Sequence, residues 1–295
     1  MPKVNEDYPG KAPISDEQLK QQAINQSYAD KKAKANPKKE AKPSKYPTET
    51  IDLPSQGIIY PEDNPLSEGT IELKYMTAKE EDILTSQNLI KKGLVIDKLL
   101  RSLIVSPINY NDLLVGDKNA IMVAARILGY GTEYPIEIQC PACGEKDKID
   151  FDLGELKTKE IDPANYTKGE NIFTTVLPAS KRTLEWKLLS HSDEQKVLES
   201  TKMFKKRAMS KTVDPQMSTR FKTMIISVDG DETVATINNF VDTEFLSRDT
   251  MHLRKEIERL SPDIDMSFYF ECNHCGHEEP KTSVPMNVQF FWPRV

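Results

Sequence analysis

Cys140-Pro141-Ala142-Cys143-Gly144 and Cys272-Asn273-His274-Cys275-Gly276 together hold all four cysteines of this 295-residue chain. A Cys-x-x-Cys turn aims two sulfurs, and the backbone N–H groups between them, at one point. The glycine that follows supplies the positive φ that a tight knuckle needs. Two such knuckles provide four thiolates, the donor set of tetrahedral zinc with Zn–S about 2.3 Å. Each pair follows an alternating stretch, residues 134–139 and 266–271, and precedes another, residues 148–151 and 287–292. The spacing therefore predicts two strand–knuckle–strand units sharing one zinc through Cys140, Cys143, Cys272 and Cys275.

Other uses of the cysteines fit less well. Independent redox dithiols would call for a βαβ context that neither pair has. Disulfides belong to exported chains, and the opening Met1-Pro2-Lys3-Val4-Asn5-Glu6-Asp7 lacks the apolar stretch of a secretory signal. His274 and His277 flank the second pair and are alternative ligands. The symmetry of the two cysteine pairs favours four thiolates, which leaves these histidines outer or surface roles. Four thiolates also leave no open coordination position, so the expected zinc is structural.

Between Cys143 and Cys272 lie 128 residues. Such a gap is tolerable, since each doubling of loop length costs only about 0.6 kcal/mol of closure entropy. The intervening sequence also carries structure of its own. Alternating runs at 172–177 and 184–188 flank Pro178-Ala179-Ser180-Lys181 and predict a hairpin. Ser192 and Gln195 are spaced as a capping pair for a Lys-rich helix to Ala208. A strand at 224–228 closes on Asp229-Gly230, and a last helix from about Asp242 to Leu260 turns Leu246, Leu253, Ile257 and Leu260 inward.

Upstream, residues 69–75 alternate as a strand, and Thr77 with Glu80 cap a helix from Ala78. Ile96, Leu99, Leu100, Leu103 and Ile104 mark a second helix that stops before Pro107. A third runs from Asp117 to Leu128 and ends at Gly129 and Gly131. The fold class expected is α+β: a helical unit plus zinc-ribbon-like β knuckles interrupted by a mixed α/β insertion. The boundaries expected are a basic extended arm at 1–48, a helical unit at 49–132, a discontinuous knuckle module at 133–155 and 265–295, and the insertion at 156–264.

Residues 1–47 carry ten lysines against six acidic residues, a net charge of +4, within a chain of net charge −6. A basic arm thus leads a body of −10. The arm has too little apolar surface to offset its ordering entropy alone. It reads as a solubilising tail or as a segment that binds an acidic partner, a neighbouring subunit first among them. The acidic body argues against a nucleic-acid module despite Lys205-Lys206-Arg207. No apolar run reaches the roughly 18–20 residues that span a bilayer.

No enzyme signature emerges. Gly116, Gly129 and Gly131 do not form a phosphate-cradling loop. His191 and His252 are expected at surface or interface positions, and Glu80-Glu81-Asp82 and Asp229 with Asp231 read as solvated carboxylates.

An ordered set of motifs remains. It runs through Leu53-Pro54-Ser55-x-Gly57 with Tyr60, Gly69, Thr77-x-x-Glu80-Glu81, Leu113-Leu114-x-Gly116-Asp117 and Tyr130-Gly131. Cys140-Pro141-x-Cys143-Gly144, Cys272-x-x-Cys275-Gly276-His277 and Phe290-Phe291-Trp292-Pro293 close it. In this order the motifs over residues 50–295 resemble the baseplate hub proteins of T-even-type contractile-tailed bacteriophages. The resemblance implies a structural, non-enzymatic protein made in the host cytoplasm and built into the virion tail baseplate among other baseplate subunits. It carries no catalytic residues over. The alternatives are a hub assembly factor absent from the mature virion and a zinc-ribbon nucleic-acid-binding adaptor.

Overall fold

The computed structural model describes residues 47–207, 215–286 and 288–291. The basic arm through residue 46, the expected helix end at Ala208, and Asn287, Trp292 and Pro293 lie outside the described residues.

Strand β1 (Thr48–Asp52) pairs antiparallel with β2 (Thr70–Lys74), Thr48 opposite Lys74 and Asp52 opposite Thr70. The loop between them folds back on itself, backbone against backbone. A Cβ on Gly57 would stand 2.3 Å from the Ser67 carbonyl oxygen, and one on Gly69 2.7 Å from the Gln56 carbonyl carbon. Both residues also have positive φ, 75° and 72°, so only glycine fits.

Helix α1 (Ala78–Thr85) begins at the expected Thr77–Glu80 pair. Glu80 Oε2 accepts from the Thr77 N–H at 3.1 Å and the Thr77 hydroxyl at 2.6 Å. Oε1 accepts from Lys74 Nζ at 2.8 Å and Ser102 Oγ at 2.6 Å. Glu80 is therefore fully buried, not solvated as the sequence suggests. Burial alone would raise its pKa, but these hydrogen bonds outweigh it and hold the carboxyl at about 2 against an ordinary 4.5. A depressed carboxylate contributes stability above its unfolded pKa, here about 3 kcal/mol, and loses it as pH falls from 4.5 toward 2. Glu80→Gln should lower the melting temperature at pH 7, with the gap to wild type closing as melts are run at progressively lower pH. A gap independent of pH would contradict this role.

Helices α2 (Gln87–Lys92) and α3 (Val95–Leu103) follow, α3 burying Val95, Leu99, Leu100 and Leu103. Helix α4 (Val115–Tyr130) starts two residues ahead of the expected Asp117. Asp117 is fully buried and ties this helix to the β1–β2 loop. Its Oδ1 accepts the Ser55 N–H at 2.9 Å and its Oδ2 accepts the Tyr60 hydroxyl at 2.6 Å, while the Tyr60 oxygen accepts the Leu114 N–H at 2.9 Å. Burial pushes both pKa values up, that of Tyr60 further because Asp117 lies beside it. Tyr60→Phe leaves two buried groups without their partner and should cost about 1–3 kcal/mol in urea unfolding. An unchanged midpoint would show that the hydroxyl is dispensable.

Strand β3 (Glu133–Gln139) forms a hairpin with β4 (Lys146–Asp152), and β5 (Lys157–Thr158) leads into the stretch between the two hairpins. There β6 (Phe173–Val176), β7 (Thr183–Trp186) and β8 (Ile225–Val228) make a three-stranded antiparallel sheet in that order. Helices α5 (His191–Arg207) and α6 (Gln216–Met224) connect β7 to β8. Helices α7 (Val234–Asn239) and α8 (Ser247–Leu260) follow. Strand β9 (Ile264–Asp265) then pairs antiparallel with β5, so the chain between them leaves and returns at one point. Strand β10 (Ser267–Glu271) and β11 (Glu278–Ser283) form the second hairpin, and Val288–Phe291 is a 3-10 turn. The architecture is mixed α/β with small sheets, and one hydrophobic cluster runs from Leu53 to Phe291.

Four expectations need correction. The partner of β10 is β11, and the described part of the expected strand at 287–292, Val288–Phe291, is a 3-10 turn. Phe290 and Phe291 are adjacent yet both fully buried, which a strand with one covered face cannot achieve; the 3-10 turn points both rings inward, Phe290 meeting Tyr134 at 5.0 Å. Glu278–Ser283 is polar and mostly exposed, so it carried no apolar alternation to read. The last helix breaks at Leu246, half exposed at the start of α8, because residues 240–244 form a π turn that brings Phe245 onto Phe240 and Phe221. The capping pair of α5 is Ser190 with Asp193: each backbone N–H donates to the other's side chain at 3.3 Å. His191 is buried, its ring against Tyr110 and near Asp97 and Lys118, and not at the surface.

Candidate metal centre

The two hairpins end in the two cysteine pairs, and their local backbones match. In the first, the Cys140 N–H donates to the Glu145 carbonyl at 2.8 Å and the Gly144 N–H to the Cys140 carbonyl at 2.9 Å. In the second, Cys272 donates to His277 at 2.9 Å and Gly276 to Cys272 at 2.9 Å. Gly144 and Gly276 take the left-handed conformation, φ 76° and 69°, which closes each knuckle. The first cysteine of each pair, Cys140 and Cys272, is buried against Phe270; Cys143 and Cys275 face outward.

These elements bring all four sulfurs within 4.8 Å of one another. The short distances cross from knuckle to knuckle: Cys140 Sγ to Cys275 Sγ is 3.7 Å, and Cys143 Sγ to Cys272 Sγ is 3.7 Å. A tetrahedron with metal–sulfur bonds of about 2.3 Å has edges of about 3.8 Å. The donor set and its spacing thus fit a tetrahedral metal ion.

Electrostatics favour a cation at the same point. The backbone N–H groups of Cys143 and Ala142 hydrogen-bond to the Cys140 sulfur and draw its thiol down to about 6. The Glu145 N–H pulls Cys143 down, but burial and the neighbouring thiols prevail and push it up. Cys272 is raised by burial, and Cys275 is raised despite the His277 N–H. One negative sulfur opposes the next, and a dication removes that opposition.

Neither His274 nor His277 joins the cluster among the described residues. His274 Nε2 lies 3.6 Å from Asp147 Oδ1, and His277 Nε2 lies 3.8 Å from a Glu279 carboxylate oxygen. Asp147 itself escaped the sequence reading. It sits on β4, is buried, and accepts the Asn273 N–H at 3.1 Å and Asn273 Nδ2 at 3.2 Å. Those hydrogen bonds outweigh its burial and hold its carboxyl below the ordinary range. Its only sequence signal is a single acid four residues after Cys143, indistinguishable from the other acids of a charged strand.

The whole described fold, knuckles included, falls inside one known family. A family model described as T4 bacteriophage base plate protein matches residues 48–292. The chain belongs to that family. No curated protein and no solved structure matches it. As a T4-type baseplate protein it is a structural component of the virion tail, working among other tail subunits. No described helix of this baseplate protein is long and apolar enough to cross a membrane.

Proposed function

We propose that this chain is a non-enzymatic structural component of the phage baseplate hub, stabilised by one zinc ion on Cys140, Cys143, Cys272 and Cys275. The observation that carries the reading is the four-sulfur cluster inside a chain of the baseplate family. Zinc is preferred because four thiolates at tetrahedral spacing suit a borderline-soft ion without geometric demands of its own. Four thiolates also fill the coordination sphere, which leaves structure as the role of the ion. The knuckle module of 133–155 and 265–295 would clamp the helical unit at 49–132 to the insertion at 156–264. The two-residue β5–β9 ladder at the insertion's ends supports that division. The basic arm at 1–48 would bind neighbouring baseplate subunits, its charge opposite to the body's.

Quantitative mass spectrometry of purified mature phage and of isolated baseplate intermediates tests the reading. Stoichiometric presence in both is expected of a permanent hub part. Presence in intermediates with loss from mature particles would replace it with an assembly factor. Absence from both would overturn the hub assignment and bring the nucleic-acid adaptor forward.

A further inference from the structure

We propose that Asp147 is the positioning residue of the metal centre: its buried carboxylate docks the second knuckle onto the first and sets how tightly four sulfurs hold their ion. The proposal rests on the metal-centre reading above. Its starting point is topological. β3–β4 and β10–β11 are separate two-stranded sheets, and the two-pair β5–β9 ladder lies at the ends away from the cysteines, so no ladder between the hairpins themselves sets one knuckle's register against the other. That register must come from side chains. Phe151 and Phe268 meet across the hairpins at 5.2 Å, but two rings in contact tolerate sliding. Asp147 supplies direction. One carboxylate oxygen takes the Asn273 backbone N–H and the other its side-chain amide, 3.1 and 3.2 Å away. The two bonds grip both the main chain and the side chain of the residue next to Cys272.

The clamp is one-sided, and the sequence shows why. Aligned from the first cysteine, Cys-Pro-Ala-Cys-Gly-Glu-Lys-Asp meets Cys-Asn-His-Cys-Gly-His-Glu-Glu. The place of Asp147 is taken in the second knuckle by Glu279, and the place of Asn273 in the first by Pro141. Proline has no N–H to give. Glu279 therefore cannot make the mirror-image contact, and its side chain is 44% exposed beside His277. Because Pro141 occupies a knuckle with the same backbone hydrogen bonds, Asn273→Pro removes the donor without breaking the turn. Outer contacts that orient ligands commonly control metal affinity by about 10- to 100-fold.

The experiment loads the full chain with Co(II), checks the tetrathiolate absorption and ion stoichiometry, and measures transfer of the ion to a chromophoric chelator. Melts of the metal-free proteins run in parallel. Asp147→Ala and Asn273→Pro should each speed transfer by about 10- to 100-fold, with the double variant no faster than Asp147→Ala alone. Glu279→Ala should transfer at the wild-type rate. Wild-type transfer rates in both variants, with only the metal-free melting temperature lowered, would overturn the positioning role while leaving the metal centre standing. A wild-type chain that takes up no ion would sink the metal centre and the positioning role together.

Discussion

Cys272→Ser should release the metal and lower the melting temperature by roughly 10 °C. With free ion about 1,000-fold above Kd, binding contributes about 4 kcal/mol, and each kcal/mol moves the midpoint of a chain this long by about 2–4 °C. The serine hydroxyl is not deprotonated at neutral pH and leaves only three thiol ligands for a four-coordinate ion. The loss matters because the four sulfurs bring together the β3–β4 and β10–β11 hairpins, which are far apart in sequence. Apart from the β5–β9 ladder of two residue pairs, no strand pairing joins the two among the described residues. Cys140→Ser should do the same, its sulfur being the one drawn down by two backbone N–H groups. A chelator added to wild type should reproduce the variant's melting temperature. Zinc content and melting temperature unchanged in Cys272→Ser would remove the clamp.

The cysteine pairs were legible because their chemistry is local: each knuckle is five residues with a glycine at a fixed place, and the sequence shows it whole. The same holds for the hairpin around Pro178 and for the Thr77–Glu80 cap, whose partners lie three residues apart. What escaped were groups whose role depends on distant partners. Glu80 looked like a solvated first-turn acid until Lys74 and Ser102 arrived from other elements. Asp117 appeared to be a helix start, and only folding brings Ser55 and Tyr60 to it across 62 and 57 residues of sequence. That contact also gives a physical reason for motifs that resembled the baseplate family as an ordered set. Gly57, Gly69, Tyr60, Leu114 and Asp117 meet in one knot of backbone and buried polar groups. The misread strand at 287–292 failed for the opposite reason, since two adjacent aromatics gave a strong apolar signal to a segment that a 3-10 turn buries.

Arg126→Met should destabilise the chain by about 3–5 kcal/mol, although no carboxylate partners the guanidinium among the described contacts. Arg126 is 1% exposed on α4, and its fork spans three carbonyls from three segments. Nε donates to Phe290 at 3.0 Å, one terminal nitrogen to Gly131 at 2.8 Å, and the other to Glu133 at 2.9 Å. The Tyr130 and Tyr134 rings lie within 5.3 and 5.8 Å of its carbon. Burial lowers its pKa, a measure of the desolvation that these contacts must offset. Methionine keeps the volume and the packing but takes the donor from three acceptors, a buried one on Phe290 and part-exposed ones on Gly131 and Glu133. One of them, on Phe290, is the polar tie of the 288–291 turn to α4, so that segment should become the first site of protease cleavage in the variant. Arg126→Lys, a single ammonium on a longer lever, can reach one acceptor at a time and should recover less than half the loss. Urea midpoints for the three proteins decide it: a lysine variant as stable as wild type would show that charge alone, and not the planar fork, holds the last turn in place.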